Sequence, residues 1–320
     1  MKKLLAIGEA LIDMIPSNTG RIKDVQSFSP KVGGAPLNVC GAYSKLGGNS
    51  NIITMLGNDP FGDKILDELN SFGINVDYVK RTNLANTSLA FVALDENANR
   101  EFSFYRKIGA DMLLSEKEIE QNWFSDSYGL HFCSVSLGDF PMRQAHDRAL
   151  KIAKEQGIVV SFDPNVRLPL FDDHEYLRKN INEYLKYADI LKISEEEVEF
   201  IFGNDDIEKN LEYLFDQGVK LLIYTSGKDG ATAFTKHIKV HSDGIKVNAI
   251  DTTGAGDGFI GSFLYQLSKD EVNVKHLENL KEEQIKQYLD LSNKFCAFSV
   301  TKEGAIASYP TFEELTKFVR

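Results

Sequence analysis

The stretch DTTGAGDGF, residues 251–259, contains three glycines and two aspartates within nine residues. Glycine loses more conformational freedom on folding than any other residue, so this density needs a structural reason. Apolar residues then recur at the spacing of a buried amphipathic helix: Phe259, Ile260, Phe263, Leu264 and Leu267. The glycines therefore lie at a helix N-terminus, where unpaired backbone N–H groups and the positive end of the helix dipole bind an anion. Upstream, residues 237–250 alternate as strands do, which predicts that the loop joins a sheet edge to the helix.

Asp257 lies beside this predicted anion site, although a carboxylate next to a phosphate would repel it. We therefore interpret Asp257 as a general base, which takes a proton from a hydroxyl that attacks a phosphorus held by Gly254, Ala255 and Gly256. The alternative is that Asp257 is an acid in the first turn of the helix, where it stabilises the helix by up to ~1 kcal/mol.

The overall composition is typical of a soluble globular enzyme: of 320 residues, 42% are hydrophobic and 26% are charged. This length predicts one large domain or a domain with an attachment. The net charge of −11 argues against a general nucleic-acid binder, because no basic surface would neutralise the phosphates. An anionic substrate must therefore be met by local groups such as backbone amides, arginine or Mg²⁺.

The cysteines and the N-terminus indicate a cytoplasmic protein. Cys40, Cys133 and Cys296 are widely spaced and match no disulfide or zinc pattern, which favours buried thiols in a reducing compartment. In the first 16 residues, Glu9 and Asp13 interrupt the apolar run, so this segment is predicted to be a core strand and not a signal peptide. No apolar run approaches the length of a membrane span, so no membrane partner is expected.

Short apolar runs alternate with helical patterns along most of the chain. The predicted strands are 4–8, 50–57, 129–135, 158–163, 189–194 and 220–227, and the predicted helices are 35–46, 61–72, 143–156, 175–187, 208–216, 282–299 and one after Pro310. This alternation predicts a doubly wound α/β fold, a mostly parallel sheet flanked by helices with ligands at the carboxyl ends of its strands. We expect a single domain over residues 1–320.

Two segments break the alternation, because residues 14–32 and 78–106 hold short strands with no helices between them. They predict a small β-sheet that is inserted in the main domain and covers the site as a lid. In FSFYR (102–106), the strand period puts Phe102, Phe104 and Arg106 on one face and Ser103 and Tyr105 on the other. Arg106 is interpreted either as reaching into the site or as a surface charge.

Four further segments carry candidate ligand contacts. The glycine pair of KVGGAPLNV (31–39) precedes a helix and allows a ligand close to the backbone. Asn38 would hydrogen-bond a polyol or face solvent, and Asp13 would bind hydroxyls or form a turn. SFDPNVRLPL (161–170) and TSGKDG (225–230) are turns after strands, and the second suits nucleotide phosphates or a plain hairpin. No G-x-x-x-x-G-K-[ST] and no G-x-S-x-G motif occurs, so an ordinary P-loop is excluded and a serine hydrolase is unsupported.

With these motifs in this order, the chain resembles the ribokinase-like (PfkB) carbohydrate kinases over essentially its full length. Residues 31–39 are similar to the N-terminal signature of that family and residues 251–259 to its C-terminal one, and the pair is far more specific than either alone. Within the family, residues 99–114, 161–171 and 191–203 are similar to fructokinases. The resemblance implies ATP-dependent phosphorylation of D-fructose at O6, and a β lid that mediates homodimer formation.

The resemblance also implies roles for individual residues. Asp257 would be the catalytic base, with Gly254, Ala255 and Gly256 as the anion hole and Arg167 near the sugar and the transferred phosphate. The implied sugar contacts are Asp13, Gly33, Gly34, Asn38, Tyr105 and Arg106. The implied nucleotide contacts are Lys192, Thr225, Ser226, Gly227, Gly230 and Asn293.

Two ion sites follow from the same resemblance. Glu197 matches the acid of an Asn-x-x-Glu motif that organises Mg²⁺ through water, but the chain has Ser194 in place of the Asn, which puts a direct metal contact at 194 in doubt. The implied K⁺ ligands, several of them backbone carbonyls, are Asp251, Thr253, Ser299, Lys302, Gly304 and Ser308. Residues 299–308 would otherwise be a plain loop between two helices.

Three competing functions remain open at this point. A 2-keto-3-deoxygluconate kinase shares an aromatic-Tyr-Arg lid strand and would use Arg106 and Arg167 on the substrate carboxylate. A ribosyl-nucleoside kinase is a further option. A catalytically inactive family member acting as a binding subunit would be expected to lose the base or the glycines, which this chain retains.

Overall fold

A computed structural model describes residues 1–94 and 100–318. Its strands are β1 (Lys3–Ile7), β2 (Leu11–Pro16), β3 (Phe28–Gly33), β4 (Ser50–Gly57), β5 (Ile74–Asn75), β6 (Val79–Thr82), β7 (Leu89–Leu94), β8 (Arg100–Tyr105), β9 (Ser127–Cys133), β10 (Val159–Asp163), β11 (Ile190–Ser194), β12 (Leu221–Thr225), β13 (Ala231–Phe234) and β14 (Lys239–Ser242). Its α-helices are α1 (Ala35–Lys45), α2 (Pro60–Ser71), α3 (Pro141–Gln156), α4 (His174–Tyr184), α5 (Glu195–Phe202), α6 (Leu211–Asp216), α7 (Ala255–Lys269), α8 (Glu282–Ser299) and α9 (Phe312–Lys317).

The main sheet has ten strands in the order β14-β13-β12-β11-β10-β9-β1-β4-β5, with β6 also beside β4. All its pairs are parallel except β12 with β13 and β13 with β14. The strand order reverses between β9 and β1, because the chain runs outward from β1 through β4 and returns through β9 on its other side. Ligands of doubly wound sheets bind where the order reverses, at the carboxyl ends of the strands.

Helices cover both faces of this sheet, which confirms the doubly wound α/β prediction. One buried cluster contains Leu37 of α1, Phe263 of α7 and Leu289 of α8. The other contains Leu150 of α3 and Leu177 of α4, together with core residues of α5 and α6. Because both faces are buried, β4 is buried along its whole length, which explains why its sequence is a continuous apolar run and does not alternate.

A separate four-stranded sheet has the order β3-β2-β7-β8. It lies where the sequence predicted a small sheet, but Val79–Thr82 does not belong to it. These residues form β6, which pairs in parallel with Thr54–Gly57 of β4 at the edge of the main sheet. The predicted lid range 78–106 therefore begins too early, because local pattern does not specify which sheet edge a short strand joins.

The segment before the glycine loop also differs from its prediction. Only Lys239–Ser242 forms a strand, and residues 243–249 have no regular secondary structure. Asp243 and Gly244 interrupt the pattern, and both residue types are disfavoured in strands. In the part of the chain that the structure describes, no helix is long and apolar enough to cross a membrane.

Candidate active site

Asp257 lies in the first turn of α7 with 7% of its surface exposed. The amide of Asn38 in α1 donates to its Oδ2 at 2.9 Å, and the amide of Asn165 donates to its Oδ1 at 3.3 Å. Burial raises the pKa of Asp257 to about 6, while the Asn38 hydrogen bond and the charges of Arg167 and Lys192 oppose the rise. The carboxylate is therefore ionised near neutral pH and suited to accept a proton. Asn38 is buried, so its solvent-facing alternative is wrong.

The glycines of the loop have distinct structural reasons. Gly254 is the N-cap of α7 with φ of 72°, a left-handed conformation that favours glycine. A Cβ there would lie 2.7 Å from both the Ala305 Cβ and the Tyr309 hydroxyl. A Cβ on Gly256 would instead lie 3.3 Å from the Lys192 ammonium, so that this cation lies against the predicted anion hole.

Lys192 and Asp163 form a buried ion pair between the carboxyl ends of β10 and β11. Lys192 Nζ donates to Asp163 Oδ2 at 2.8 Å, and the two residues are 5% and 1% exposed. The charges of Asp163, Glu197 and Asp257 raise the pKa of Lys192 despite its burial, so the ammonium stays protonated. Sequence reasoning missed Asp163 as a site residue because its Asp-Pro-Asn context already accounted for it as a turn.

A cavity of 890 Å³ opens on the other side of this ion pair. It brings together Lys192, Ala255, Gly256 and the predicted nucleotide contacts Thr225, Ser226, Gly227, Gly230 and Asn293. Gly244, Ile245, Lys246, Val247, Ala249, Cys296, Ala297 and Val300 also line it and were not predicted. The lining residues between positions 244 and 249 belong to the segment that was predicted as a strand, so the sequence did not identify them as cavity residues.

Asn293 contributes to the cavity by holding its wall. Its amide donates to the backbone carbonyls of Ser242 and Asp243 at 3.0 and 3.2 Å, and to the Ser242 hydroxyl at 2.9 Å. α8 is therefore tied to the start of the irregular segment that lines the cavity.

Asp13 lies on β2 of the small sheet and is not among the residues that line the cavity. Burial raises the pKa of Asp13 to about 6, opposed by the charge of Arg167 and reinforced by that of Glu9. Gly33 of β3 pairs with Leu11 of β2, and a Cβ on Gly33 would lie 2.1 Å from Asp13 Oδ2. Gly34 has φ of 125°, and a Cβ there would lie 2.5 Å from the Glu9 carbonyl. The glycine pair thus lets the small sheet approach the start of α1.

Arg106 is buried, so its interpretation as a surface charge is wrong. Its Nε donates to Asp111 Oδ2 at 2.9 Å, the Ser88 hydroxyl donates to the other Asp111 oxygen, and the guanidinium lies 5.6 Å from the centre of the Phe140 ring. The pair joins the end of β8 to the main domain. Because both side chains are buried, the charge of Arg106 is compensated by Asp111 and not by water.

Glu9 is a second buried acid at the junction of β1 and β2, and the sequence gave it no role. It is 3% exposed, its Oε1 accepts the Ala35 amide at 3.2 Å and its Oε2 accepts the Ser136 hydroxyl at 2.9 Å. Burial raises the pKa of Glu9, although the charge of Arg106 opposes it. Its position as one of two acids that interrupt the apolar N-terminal run was the signal that could have identified it.

The structure does not bring Tyr105 to Asp13. The strand register aligns Ile12 with Leu89 and Leu89 with Tyr105, so these three share one face, and Asp13 lies on the other. Tyr105 is 67% exposed and packs against the Phe91 ring at 5.1 Å.

Glu197 holds the turn after β10 to the start of α5. Its Oε2 accepts the backbone amide and the hydroxyl of Ser194, both at 2.9 Å, in a capping box. Its Oε1 accepts the Val166 amide at 2.7 Å. Within the described residues, no group of three or more His, Cys, Asp or Glu side chains could hold a metal ion by itself. Mg²⁺ would therefore depend on phosphate oxygens and water, which suits its preference for a hydrated shell.

The predicted K⁺ ligands come from two segments that the fold places side by side. Asp251 Oδ1 accepts from the amide and hydroxyl of Thr253 at 2.9 and 2.6 Å, and its Oδ2 accepts the Gly304 amide at 2.9 Å. The hydroxyls of Ser299 and Ser308 donate to backbone carbonyls of their own segments. The Lys302 ammonium lies over the Phe298 ring, so only the backbone carbonyl of Lys302 suits a cation.

Comparison with known proteins defines the class of enzyme. The model of the pfkB family carbohydrate kinases matches residues 1–312, and the chain belongs to this family.

Within the family, the chain is similar to fructokinases. It is 42% identical to fructokinase-2 of Oryza sativa subsp. japonica, covering 96% of this chain and 91% of the relative. It matches the structure of the Xylella fastidiosa fructokinase with bound ATP at a TM-score of 0.92 and 32% identity, covering 98% of this chain and 97% of that chain. A double mutant of the Vibrio cholerae O395 fructokinase, solved with fructose, ADP and a potassium ion, matches at a TM-score of 0.87 and 30% identity over 100% of this chain and 99% of that chain. The ribokinase-like fold prediction is thereby confirmed.

Proposed function

We propose that this chain transfers the terminal phosphate of ATP to O6 of D-fructose, forming fructose 6-phosphate. One observation carries the proposal: Asp257, a buried carboxylate with its pKa raised to about 6, directly follows Gly256 of the 890 Å³ cavity lining and accepts a hydrogen bond from the Asn38 amide of α1. The similarity to fructokinases over 96% or more of the chain supports fructose as the acceptor.

In this mechanism Asp257 accepts the O6 proton while the oxygen attacks the phosphorus in line. The backbone N–H groups of Gly254, Ala255 and Gly256 stabilise the charge on the transferred phosphate, because they lie at the N-terminus of α7. Lys192 and Arg167 add positive charge from the ends of β11 and β10. The buried Asn38 Oδ1 and Asp163 Oδ1 have no hydrogen-bond partner among the described residues and remain as acceptors for a ligand hydroxyl or water.

The remaining predicted residues divide between the two substrates. Asp13, Gly33, Gly34 and Asn38 bind the sugar, and Arg106 supports them through its pair with Asp111. Thr225, Ser226, Gly227, Gly230 and Asn293 bind ATP. Since a carboxylate accepts hydrogen bonds from hydroxyl groups and repels anions, Asp13 favours an uncharged polyol as acceptor.

Two ions complete the proposal. Glu197 would hold Mg²⁺ through water, and the ion would supply positive charge to the phosphates. Asp251, Thr253, Ser299, Lys302, Gly304 and Ser308 hold K⁺ beside the anion hole, where the ion fixes the geometry of residues 251–256. The rate should then rise with K⁺, and equal rates in K⁺ and tetramethylammonium would contradict the site.

We also propose a cytoplasmic homodimer formed through the small sheet. Four of the large hydrophobic side chains found exposed in the described structure, Ile15, Leu84, Tyr105 and Ile108, lie in or next to this sheet. Tyr105, which faces away from Asp13 of its own chain, belongs to this contact surface. Light scattering of Tyr105→Glu, in comparison with the natural chain, tests the arrangement, and an unchanged dimer would contradict it.

The competing substrate 2-keto-3-deoxygluconate carries a carboxylate, which needs an unpaired cation. Arg106 is already paired with the buried Asp111, so that of these two arginines Arg167 remains for a carboxylate. The structure therefore favours the neutral sugar.

A coupled ADP-release assay separates these substrates. With ATP and Mg²⁺, fructose should give the highest kcat/KM among fructose, 2-keto-3-deoxygluconate, ribose and glucose, and ³¹P NMR of the product should identify the 6-phosphate. A tenfold or greater preference for the keto-deoxy acid would overturn the proposal.

A further inference from the structure

Asn165 makes a contact that its sequence context does not explain. An asparagine in a turn usually hydrogen-bonds its own backbone about two residues further on. The Asn165 amide instead donates to Asp257 Oδ1 at 3.3 Å, 92 positions away in the sequence. The residue is 9% exposed, so this bond is shielded from water.

The backbone around Asn165 is fixed on both sides. Before it, Asp163 is paired with Lys192 at 2.8 Å and the Pro164 carbonyl accepts the Ser134 amide at 3.1 Å. After it, the Val166 amide donates to Glu197 at 2.7 Å. Asn165 itself has φ of 47°, a left-handed conformation that most residues avoid and that asparagine tolerates. The turn is therefore held rigidly in the one geometry that aims the amide at the base.

Each carboxylate oxygen of Asp257 therefore accepts a hydrogen bond from one side-chain amide. Oδ2 accepts from Asn38 of α1, and Oδ1 accepts from Asn165 in the turn after β10. We propose that Asn165 is a positioning residue for the phosphoryl transfer: with Asn38, its amide fixes the orientation of the Asp257 carboxylate and favours its charged form. The inference rests on the proposed role of Asp257 as base and assigns Asn165 the second half of its support.

The groups that face Asp257 set the size of the expected effect. They are Asn38, Asp163, Arg167 and Lys192, and also Cys133, Cys296 and Tyr309, whose own pKa values are raised in part by the charge of Asp257. Asp163 opposes ionisation of Asp257, whereas Arg167 and Lys192 favour it. Loss of one amide donor from the charged form should therefore raise the pKa of Asp257 further above about 6.

Asn165→Gly is the decisive variant, because glycine accepts the left-handed backbone and lacks the amide. The melting temperature should stay near that of the natural chain. The value of kcat at pH 7 should fall roughly 5–10-fold, and the acidic limb of the kcat/KM profile should move up by about half a pH unit. Effects of this size are expected for the loss of one long hydrogen bond to a charged group. Asn165→Asp places a second carboxylate beside the base and should move the limb further, with partial recovery above pH 8.

Two controls separate positioning from structure. Glu271→Gly changes an exposed residue with φ of 55° at the far end of α7 and should alter none of these quantities. Asn165→Ala lacks the amide but resists the left-handed backbone, so it should lower the melting temperature in addition to kcat. Unchanged kcat and an unchanged acidic limb in Asn165→Gly would overturn the proposal, as would a loss of kcat that is matched by a loss of stability.

A substrate-independent measurement distinguishes this outcome from failure of the proposed function. In the free protein labelled with ¹³C at the aspartate carboxyls, the Asp257 signal, assigned through its loss in Asp257→Asn, should titrate at a higher pH in Asn165→Gly. An unmoved titration contradicts the inference. If the natural chain does not phosphorylate fructose but the titration moves, the support of Asp257 by Asn165 stands and the substrate assignment fails.

Discussion

The two sides of Asp257 are built in different ways. The proposed nucleotide side is a cavity that has four glycines among its lining residues, Gly227, Gly230, Gly244 and Gly256. The proposed sugar side depends on charged side chains: the half-buried Asp13, the buried Glu9 and the buried Arg106–Asp111 pair. The difference follows the chemistry of the two ligands, because backbone N–H groups suit phosphates, whereas carboxylates and amides suit hydroxyl groups.

The contrast predicts that the two sides respond to different changes. Substitutions that remove a charge should affect the sugar side and the base most. Substitutions that add a Cβ should affect the nucleotide side most. Buried acids also make the sugar side the region whose properties depend on pH.

The largest expected effect is at Asp257, where the two sides meet. Asp257→Asn keeps the shape of the side chain but does not accept a proton, so kcat should fall ~10²–10⁴-fold. Because burial already raises the pKa of this carboxyl, loss of its charge should not lower the melting temperature at pH 8. Steady-state kinetics and thermal unfolding measure both quantities.

Asp173 provides the matched control for the helix-start alternative. It is the N-cap of α4 and accepts the Tyr176 amide at 2.9 Å, so Asp173→Ala should lower stability by ~1 kcal/mol without a change in kcat. If Asp257→Asn behaved in the same way, Asp257 would be a helix-start acid and the proposed mechanism would be wrong.

On the sugar side, Arg106→Ala should strongly destabilise the fold. It leaves Asp111 buried and unpaired, and breaking such a pair costs about 3–5 kcal/mol. Urea unfolding measures the loss, and the double variant Arg106→Met with Asp111→Leu should recover much of it. A destabilisation below ~1 kcal/mol would contradict the assignment of the pair as the main connection between the end of β8 and the main domain.

On the nucleotide side, Gly230→Ala should weaken ATP binding and leave fructose binding unchanged. Gly230 has φ of 101°, and a Cβ would lie 2.1 Å from the Ser242 carbonyl, so the loop that lines the cavity must move. We expect a roughly tenfold rise in the KM for ATP and a loss of about 1–3 kcal/mol in stability.

Gly218→Ala isolates the cost of the backbone conformation. Gly218 has φ of 105°, and no heavy atom lies within 4 Å of the added Cβ. The Gly218→Ala variant should therefore be less stable than the natural chain but have the same KM for ATP. An equal rise in KM for both variants would show that the Gly230 effect is not local to the cavity.

The smallest effect is the pH dependence of the sugar side. The pKa values of Asp257 and Asp13 are raised by burial to about 6, so both bind protons more tightly in the folded state than in the unfolded state. Their contribution to stability is present below about pH 4 and is lost as the pH rises through about 6. Asp13→Asn should therefore melt above the natural chain at pH 7.5, and the difference should shrink toward pH 4.

Catalysis has the opposite dependence on pH. The base must be ionised, so kcat/KM for fructose should fall about tenfold per pH unit below 6. A limb centred below pH 4.5 would show that Asp257 is not desolvated as the structure indicates.

Local sequence determined most of the fold and the central loop. The alternation of apolar runs and helical patterns predicted the strands β1, β4, β9, β10, β11 and β12 and the helices α1, α2, α3, α4 and α6, because each buried element carries its own period. Gly254 and Asp257 were identifiable because a positive φ at a helix start favours glycine and a carboxylate beside a phosphate site needs a reason.

Only the tertiary structure decided which side chains meet. Asp257 accepts hydrogen bonds from the amides of Asn38 and Asn165, although the turn that contains Asn165 looked ordinary in the sequence. Arg106 pairs with Asp111, a residue to which local pattern gave no role. β6 joined the main sheet, and residues 244–247 and Ala249 line the cavity, because strand patterns do not specify an edge or a ligand. Periodicity is a property of consecutive residues, whereas burial, pairing and raised pKa values depend on groups far apart in the sequence, so they are set when the sheets and helices pack.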